Sequence, residues 1–472
     1  MLFNSLTFLA FAIAVFLLHP LLVRWRRLQL TFLIGASCVF YGWWDWSYLL
    51  LIAASGLIDY CCALGIQHQK RPRFRFAFLM LSVIANLGIL LCFKYSGLLA
   101  ESLDAVLGTS FESGLPLVMR VLPVGISFYT FQSMSYTFDV YRKRLDATPS
   151  LIHYFAYLSL FPQLVAGPIV RARDLLPQLA KPAKVGADGF RAGLALIVGG
   201  YLKKLVFADN LAPFVDAAFA SPEPAASALY WWLIAAMFAI QIYADFSGYS
   251  DIARGLGRWL GLQYPENFDH PYKSTSMREF WQRWHISLST WFRDYVYIPL
   301  GGGRLGEWRA HLAMWCTMLL SGLWHGASWT FALWGAFHAL ALSVERVTGW
   351  PQRLKRLPGG HASAHAICLI LVLLGWVIFR ADGVSQISVI FQTMVTGDWL
   401  HLGPLEEPAG RWPLLLVLVF VAYELAHAAS RRLPSALRER LWFCSEPVLL
   451  ALAAVAAIYF RGPGQVFIYF QF

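Results

Sequence analysis

His325 stands in Leu323-Trp324-His325-Gly326-Ala327-Ser328-Trp329, inside an almost uncharged apolar run from Leu312 to Val344. An imidazole at membrane depth is costly to keep, so it reads first as a functional group that can take and return a proton near neutral pH. The competing reading is a structural histidine bonded to a neighbouring carbonyl. A second imidazole, His285, has a different setting. If Arg278 to Tyr295 is one helix, then Arg278, Gln282, His285, Ser289 and Arg293 form one polar stripe, with Phe280, Trp284, Leu288, Trp291 and Tyr295 on the opposite face. Charges alone would suffice for a helix lying on a membrane surface. A titratable ring between arginines suits an anionic ligand and proton transfer.

The elements that hold these rings follow from composition. With 58% hydrophobic and 14% charged residues over 472 positions, and a mean hydropathy of +0.54, the chain cannot hide its apolar surface in one soluble core. The expectation is a single all-α, polytopic membrane domain spanning 1–472. The net charge of +11 falls in short clusters between apolar spans, which argues for topology and against nucleic acid. Clusters at Arg24 to Arg27, Lys70 to Arg75, Arg142 to Arg144 and Arg171 to Lys184 are placed in the cytoplasm, which puts the N-terminus outside. Leu2 to Leu18 lacks a basic flank before it and reads as a first helix rather than a signal peptide. About eleven spans are expected, near 2–18, 30–43, 47–66, 77–95, 116–138, 191–208, 228–250, 312–344, 365–380, 412–428 and 446–460, each judged against the ~20 residues a crossing needs. Tyr154 to Val165 is too short to cross and reads as re-entrant. Gly125, Gly167-Pro168 and Pro299 interrupt spans, which is tolerated only beside protein or a water-filled cavity. A bundle around an internal path is the consequence. Neither the seven cysteines nor the histidines have metal-ligand spacing, so no metal site is expected.

The His325 run has its own geometry. It is too long for one untilted helix and about seven residues short of the ~40 that two full spans would take. Basic flanks on both sides require the chain to enter and return, with the turn near Trp324 to Ser328. Ser321, Gly322, Gly326, Ala327 and Ser328 supply small side chains for close backbone approach there. Other polar groups in apolar surroundings are Asp59, Asp139, Asp245, Asp251, Gln163, His338 and Arg380. Asp245 and Asp251 are expected to pair with Arg254 or Arg258. His338 lies about 220° around a continuous helix from His325 and shares its face only if the helix breaks. Gly301 to Gly303 lack the spacing of a nucleotide-binding loop and read as a flexible turn.

Phe280-Trp281-Gln282-Arg283-Trp284-His285-Ile286-Ser287-Leu288-Ser289, followed by Trp291 to Gly302, closely resembles the membrane-bound O-acyltransferase family. Trp324 to Trp329 is similar to its second signature. The resemblance extends to Phe161 to Pro168, Asp245 to Asp251, Phe379-Arg380-Ala381 and Phe467 to Phe472, and departs only in small ways, such as Ala339 after His338. Within the family the chain looks most like the branch that acetylates alginate. The resemblance implies acyl transfer from a cytoplasmic thioester such as acetyl-CoA, used as substrate with no resident cofactor. His325 would be the general base, and His285 a second catalytic group on the inner side. Arg278, Gln282, Ser289 and Arg293 would hold the donor's anionic part. It further implies a bacterial inner membrane, a polysaccharide acceptor and an extracytoplasmic acetyltransferase as partner. The competing class is a proton-coupled transporter of a polysaccharide export system, which would be supported by inverted repeats that the sequence lacks.

Overall fold

The computed structural model describes residues 1–114, 116, 123–165, 167–221 and 227–470. Among these, all regular structure is helical. A helix satisfies its backbone groups within its own segment, which an apolar environment demands. Among the described residues, five helices are long and apolar enough to cross a bilayer: Tyr48–His68, Pro72–Leu107, Ala228–Trp259, Gly360–Arg380 and Pro408–Ser430. All five overlap predicted spans. Other predicted spans correspond to shorter or more polar helices, including Leu6–Leu22, Arg26–Gly42 and Ala187–Tyr201. The span expected at 116–138 falls partly outside the described residues, and its helix runs over Ile126–Tyr141.

The chain divides into two compact units, Met1–Ile197 with Ser250–Glu266, and Val198–Tyr249 with Asn267–Phe472. The first unit is organised around Asp59, a fully buried carboxylate. Its oxygens accept from Ser82 Oγ (2.5 Å), Asn86 Nδ2 (2.9 Å) and Ser133 Oγ, and Tyr154 Oη lies 3.1 Å from Ser133 Oγ. The carboxylate's own partners come from two further helices and Tyr154 joins through Ser133 from a third, so this network ties four elements together where an unmet polar group would be expensive. Tyr154 to Val165 forms Leu151–Ser159 and Phe161–Leu164, broken at Leu160, whose ψ of 120° leaves the helical region just before Pro162. Asp251 pairs with Arg254 at 3.1 Å, as expected.

The expected pairing of Asp245 with Arg254 or Arg258 is corrected. Lys204 Nζ lies 2.8 Å from Asp245 and 2.8 Å from Asp209, all three buried. The physical reason is helical rise. Asp245 and Arg254 lie on one continuous helix, Ala228–Trp259, about 13 Å apart along its axis. Lys204 instead arrives from the π-helical turn Leu202–Ala208. Close approach there depends on Gly248, where a Cβ would come within 2.7 Å of the Gly200 carbonyl oxygen. The second Asp245 oxygen accepts from the Ile468 N–H at 2.8 Å and so fixes the C-terminal segment.

Within the second unit, Glu307–His325 and Trp329–Thr348 form a helical hairpin that turns where the sequence places the turn, at Trp324 to Ser328, although neither helix is among the five apolar enough to cross a bilayer by composition. Their 19 and 20 residues give lengths of about 28–30 Å, each close to the hydrocarbon thickness. The pair is longer than the apolar run because polar ends join each helix. Arg346 closes the open end with two bonds to Glu307, at 2.6 and 3.0 Å.

Candidate active site

The stripe predicted on one helix over Arg278 to Tyr295 is corrected by a break at His285. Ser276 starts a helix over Met277–Arg283 by accepting from the Glu279 N–H. Trp284 is extended, and His285 has φ 43° and ψ 54°, the left-handed region. A second short helix, Ile286–Phe292, follows. Left-handed backbone is unfavourable for a side chain with a Cβ and persists only where the surroundings enforce it.

Asn267 supplies that enforcement. Its backbone carbonyl accepts from the Ile286 N–H at 2.9 Å. Its Oδ1 lies 3.2 Å from the Ser287 N–H nitrogen, 2.8 Å from Ser287 Oγ and 3.1 Å from His285 Nδ1. The Ser287 amide can only donate, so the Asn267 atom facing it is oxygen. His285 must therefore donate from Nδ1, which leaves Nε2 of the neutral ring unprotonated. The segment lies outside the membrane-spanning helices, and burial pushes its imidazole down to about 3, so the ring is neutral at ordinary pH. The break thus takes His285 out of the polar stripe and into an aromatic cluster, 4.5 Å from Phe246 and 6.0 Å from Trp324 between ring centroids.

The other four predicted residues stay together. Arg278, Gln282, Ser289 and Arg293 line one cavity of about 980 Å³, with Trp281 and Arg346. Glu345, from the returning helix of the pair, accepts from the Met277 N–H at 2.7 Å and the Arg278 N–H at 3.4 Å, and so sets the start of the Arg278 helix. Neither His285 nor His325 lines this cavity.

His325 is the last residue of its helix and is 3% exposed. Gly326 is extended, and Ser328 caps the returning helix by accepting from the Thr330 N–H. The turn is tight because a Cβ at Gly326 would strike the Phe331 ring and one at Gly322 the Phe331 carbonyl oxygen. Four rings surround the imidazole: Trp324 and Trp334 at 5.1 Å, Phe379 and Tyr469 at 5.5 Å. Trp324 therefore touches both histidines. Tyr469 is held there by the bond from Ile468 to Asp245.

His338 joins this cluster because the helix does break. Its ring lies 4.6 Å from Trp334 and 5.1 Å from Trp281. Among the described residues, Trp281 Nε1, Trp334 Nε1 and His338 Nδ1 are buried without a hydrogen-bond partner. Trp281 also lines the cavity, so this group of nitrogens stands beside the Arg278 side and the His325 side alike. Arg380 pairs with Asp216 at 2.8 Å, and Gln163 donates to the Tyr157 carbonyl at 2.7 Å, so neither belongs to the site.

Asn267, Trp334 and Lys204 are the residues that sequence reasoning missed. Each acts through a long-range contact and carries no periodic signal. Tyr469 carries no signal of its own beyond the terminal motif Phe467 to Phe472.

A sequence profile of the membrane-bound O-acyltransferase family matches residues 128–382. The chain is 41% identical over 413 residues to the probable alginate O-acetylase of Azotobacter vinelandii, covering 84% of this chain and 79% of that protein. It is 33% identical over 407 residues to the peptidoglycan O-acetyltransferase of Helicobacter pylori, covering 80% and 76%. The teichoic acid D-alanyltransferase of Bacillus subtilis is more distant, at 27% over 277 residues, covering 54% and 68%. With half the chain under the family profile and relatives matched along most of their length, the chain belongs to the membrane-bound O-acyltransferase family and is an O-acyltransferase.

Proposed function

We propose that the chain moves an acetyl group from a cytoplasmic thioester, acetyl-CoA or a close equivalent, to a hydroxyl of an exported polysaccharide of the alginate, cellulose or peptidoglycan kind, or to an extracytoplasmic partner that completes the transfer. It does so in the bacterial inner membrane, with about eleven passes and the N-terminus outside. The observation that carries this reading is His325, a buried imidazole at the turn of the hairpin formed by Glu307–His325 and Trp329–Thr348, walled by four aromatic rings.

The donor's anionic part binds in the 980 Å³ cavity against Arg278 and Arg293, with Gln282 and Ser289 as neutral partners. Its thioester passes Trp281 toward His325. The Trp281 and Trp334 N–H groups, buried without partners, suit the thioester carbonyl, where they would stabilise the oxygen as it becomes an oxyanion. His325 takes the proton of the attacking hydroxyl as the new C–O bond forms. The C–S bond then breaks, and the departing thiolate takes that proton back from the imidazolium. Acid–base catalysis of this kind is worth ~10²–10⁴ in rate. His285, held as the tautomer with an unprotonated Nε2, serves as the second base on the inner side. The rings around His325 exclude water, which would otherwise hydrolyse the thioester.

The test is to incubate purified protein with labelled acetyl-CoA and polysaccharide acceptors, comparing wild type with His325→Ala. Transfer should fall to background while membrane insertion and melting temperature stay near normal. Undiminished transfer in the variant would remove His325 from the mechanism.

A further inference from the structure

An apolar cavity of about 460 Å³ lies among three of the membrane-crossing helices, Ala228–Trp259, Gly360–Arg380 and Pro408–Ser430. Its walls repeat at helical spacing, with Ala236 and Ile240, Leu369 and Leu373, and Val417 and Val421, each pair on one face of its helix. Val421 and Leu425 are 46% and 66% exposed, so the slot opens toward the side that faces lipid. At one end it meets Lys273 and Glu424. Beyond them lies a second cavity of about 780 Å³, lined by His270, His427, Arg431 and Arg438. Both volumes fall in the ~300–1,000 Å³ range of ligand sites.

The polar end is built rather than incidental. Lys273 Nζ lies 2.9 Å from Glu424 Oε2 and 2.6 Å from His427 Nδ1. An ammonium only donates, so His427 accepts at Nδ1 and carries its proton on Nε2, as a further donor. His270 Nδ1 lies 2.8 and 3.0 Å from the two Glu424 oxygens and donates to them, and its ring stacks on His427 at 3.8 Å. Among the described lining residues, Lys273, Arg431 and Arg438 are three cations set against one carboxylate, Glu424. Among the described residues neither arginine has a carboxylate within ion-pair distance. The surplus is positive and sits at the end of an apolar slot.

We propose that this is a binding site for an anionic phospholipid, its acyl chain in the slot and its phosphate among Lys273, His427, Arg431 and Arg438. Basic pockets between membrane helices recognise such headgroups. A zwitterionic lipid fills the slot but leaves the positive surplus unmet, and free phosphate leaves the slot unfilled. The site has a direct line to the chemistry. His270 and Lys273 lie three and six residues after Asn267, on the segment that fixes His285. A bound headgroup steadies that segment.

The test uses the full chain in nanodiscs made from equal parts phosphatidylcholine and phosphatidylglycerol, with native mass spectrometry of what each released protein retains. Wild type should hold phosphatidylglycerol and not phosphatidylcholine. Arg431→Gln with Arg438→Gln, both exposed and remote from any core, should weaken retention by about thirty-fold. Leu373→Trp, which fills the slot without altering charge, should also release the lipid. Equal retention of both lipids, or retention unchanged in both variants, overturns the proposal. So does displacement by glycerol phosphate as effective as that by short-chain phosphatidylglycerol, since it would mark a site for phosphate alone.

Discussion

At the scale of single residues, His285 owes its protonation state to Asn267. One side-chain oxygen serves the Ser287 amide, the Ser287 hydroxyl and the imidazole together, and so selects the tautomer with an unprotonated Nε2. Asn267→Leu removes the acceptor and leaves the ring free to turn or change tautomer. Turnover should fall by as much as the ~10²–10⁴ that an acid–base group contributes, whereas Asn267→Asp, which keeps an acceptor in place, should recover most of it. The comparison of kcat in the two variants at matched expression separates this from a folding defect, because equal losses in both would leave the tautomer irrelevant. The histidines themselves were legible in the sequence, since a titratable ring in a run poor in charge is conspicuous. Asn267 was not, because nothing in a chain marks an asparagine that acts across eighteen residues.

The elements divide the same way. The turn between Glu307–His325 and Trp329–Thr348 could be read from the length of the run and its small residues, because a stretch too long for one helix and short of two full spans must reverse. The break at His285 could not, since amphipathic spacing over Arg278 to Tyr295 is as regular as in an intact helix. Tertiary bonds from Asn267 override the local pattern. Within the hairpin, Gly322 and Gly335 let two backbones meet: a Cβ at Gly335 would come within 2.5 Å of the Met318 carbonyl oxygen, and one at Gly322 would overlap that of Phe331. Gly322→Ala should therefore destabilise by about 1–3 kcal/mol and displace His325, lowering melting temperature and activity together. Gly88→Ala is the control, since nothing lies within 4 Å of the added carbon, and it should be neutral or mildly stabilising. Similar melting curves for the two variants would mean that the hairpin tolerates separation.

For the molecule as a whole, composition announced an all-helical membrane protein, and the motifs announced its family. How the parts assemble was less accessible. Lys204 compensates two buried carboxylates, one of which anchors the backbone that brings Tyr469 to His325, and no spacing rule links residues so far apart. The 980 Å³ cavity, proposed above to take the donor, offers a test at this scale. Arg278→Gln with Arg293→Gln should raise KM for acetyl-CoA while leaving kcat within a few-fold, as expected for lost ground-state binding. A fall in kcat alone would assign the arginines to the chemical step instead. The left-handed backbone at His285 also limits what heredity can place there. Besides glycine, the residues most at ease in that conformation are asparagine, aspartate and histidine. In the genetic code, asparagine and aspartate each lie one base from a histidine codon. Point mutation thus reaches polar side chains that keep the chain's path, and most other changes at this codon must first pay for a distorted backbone.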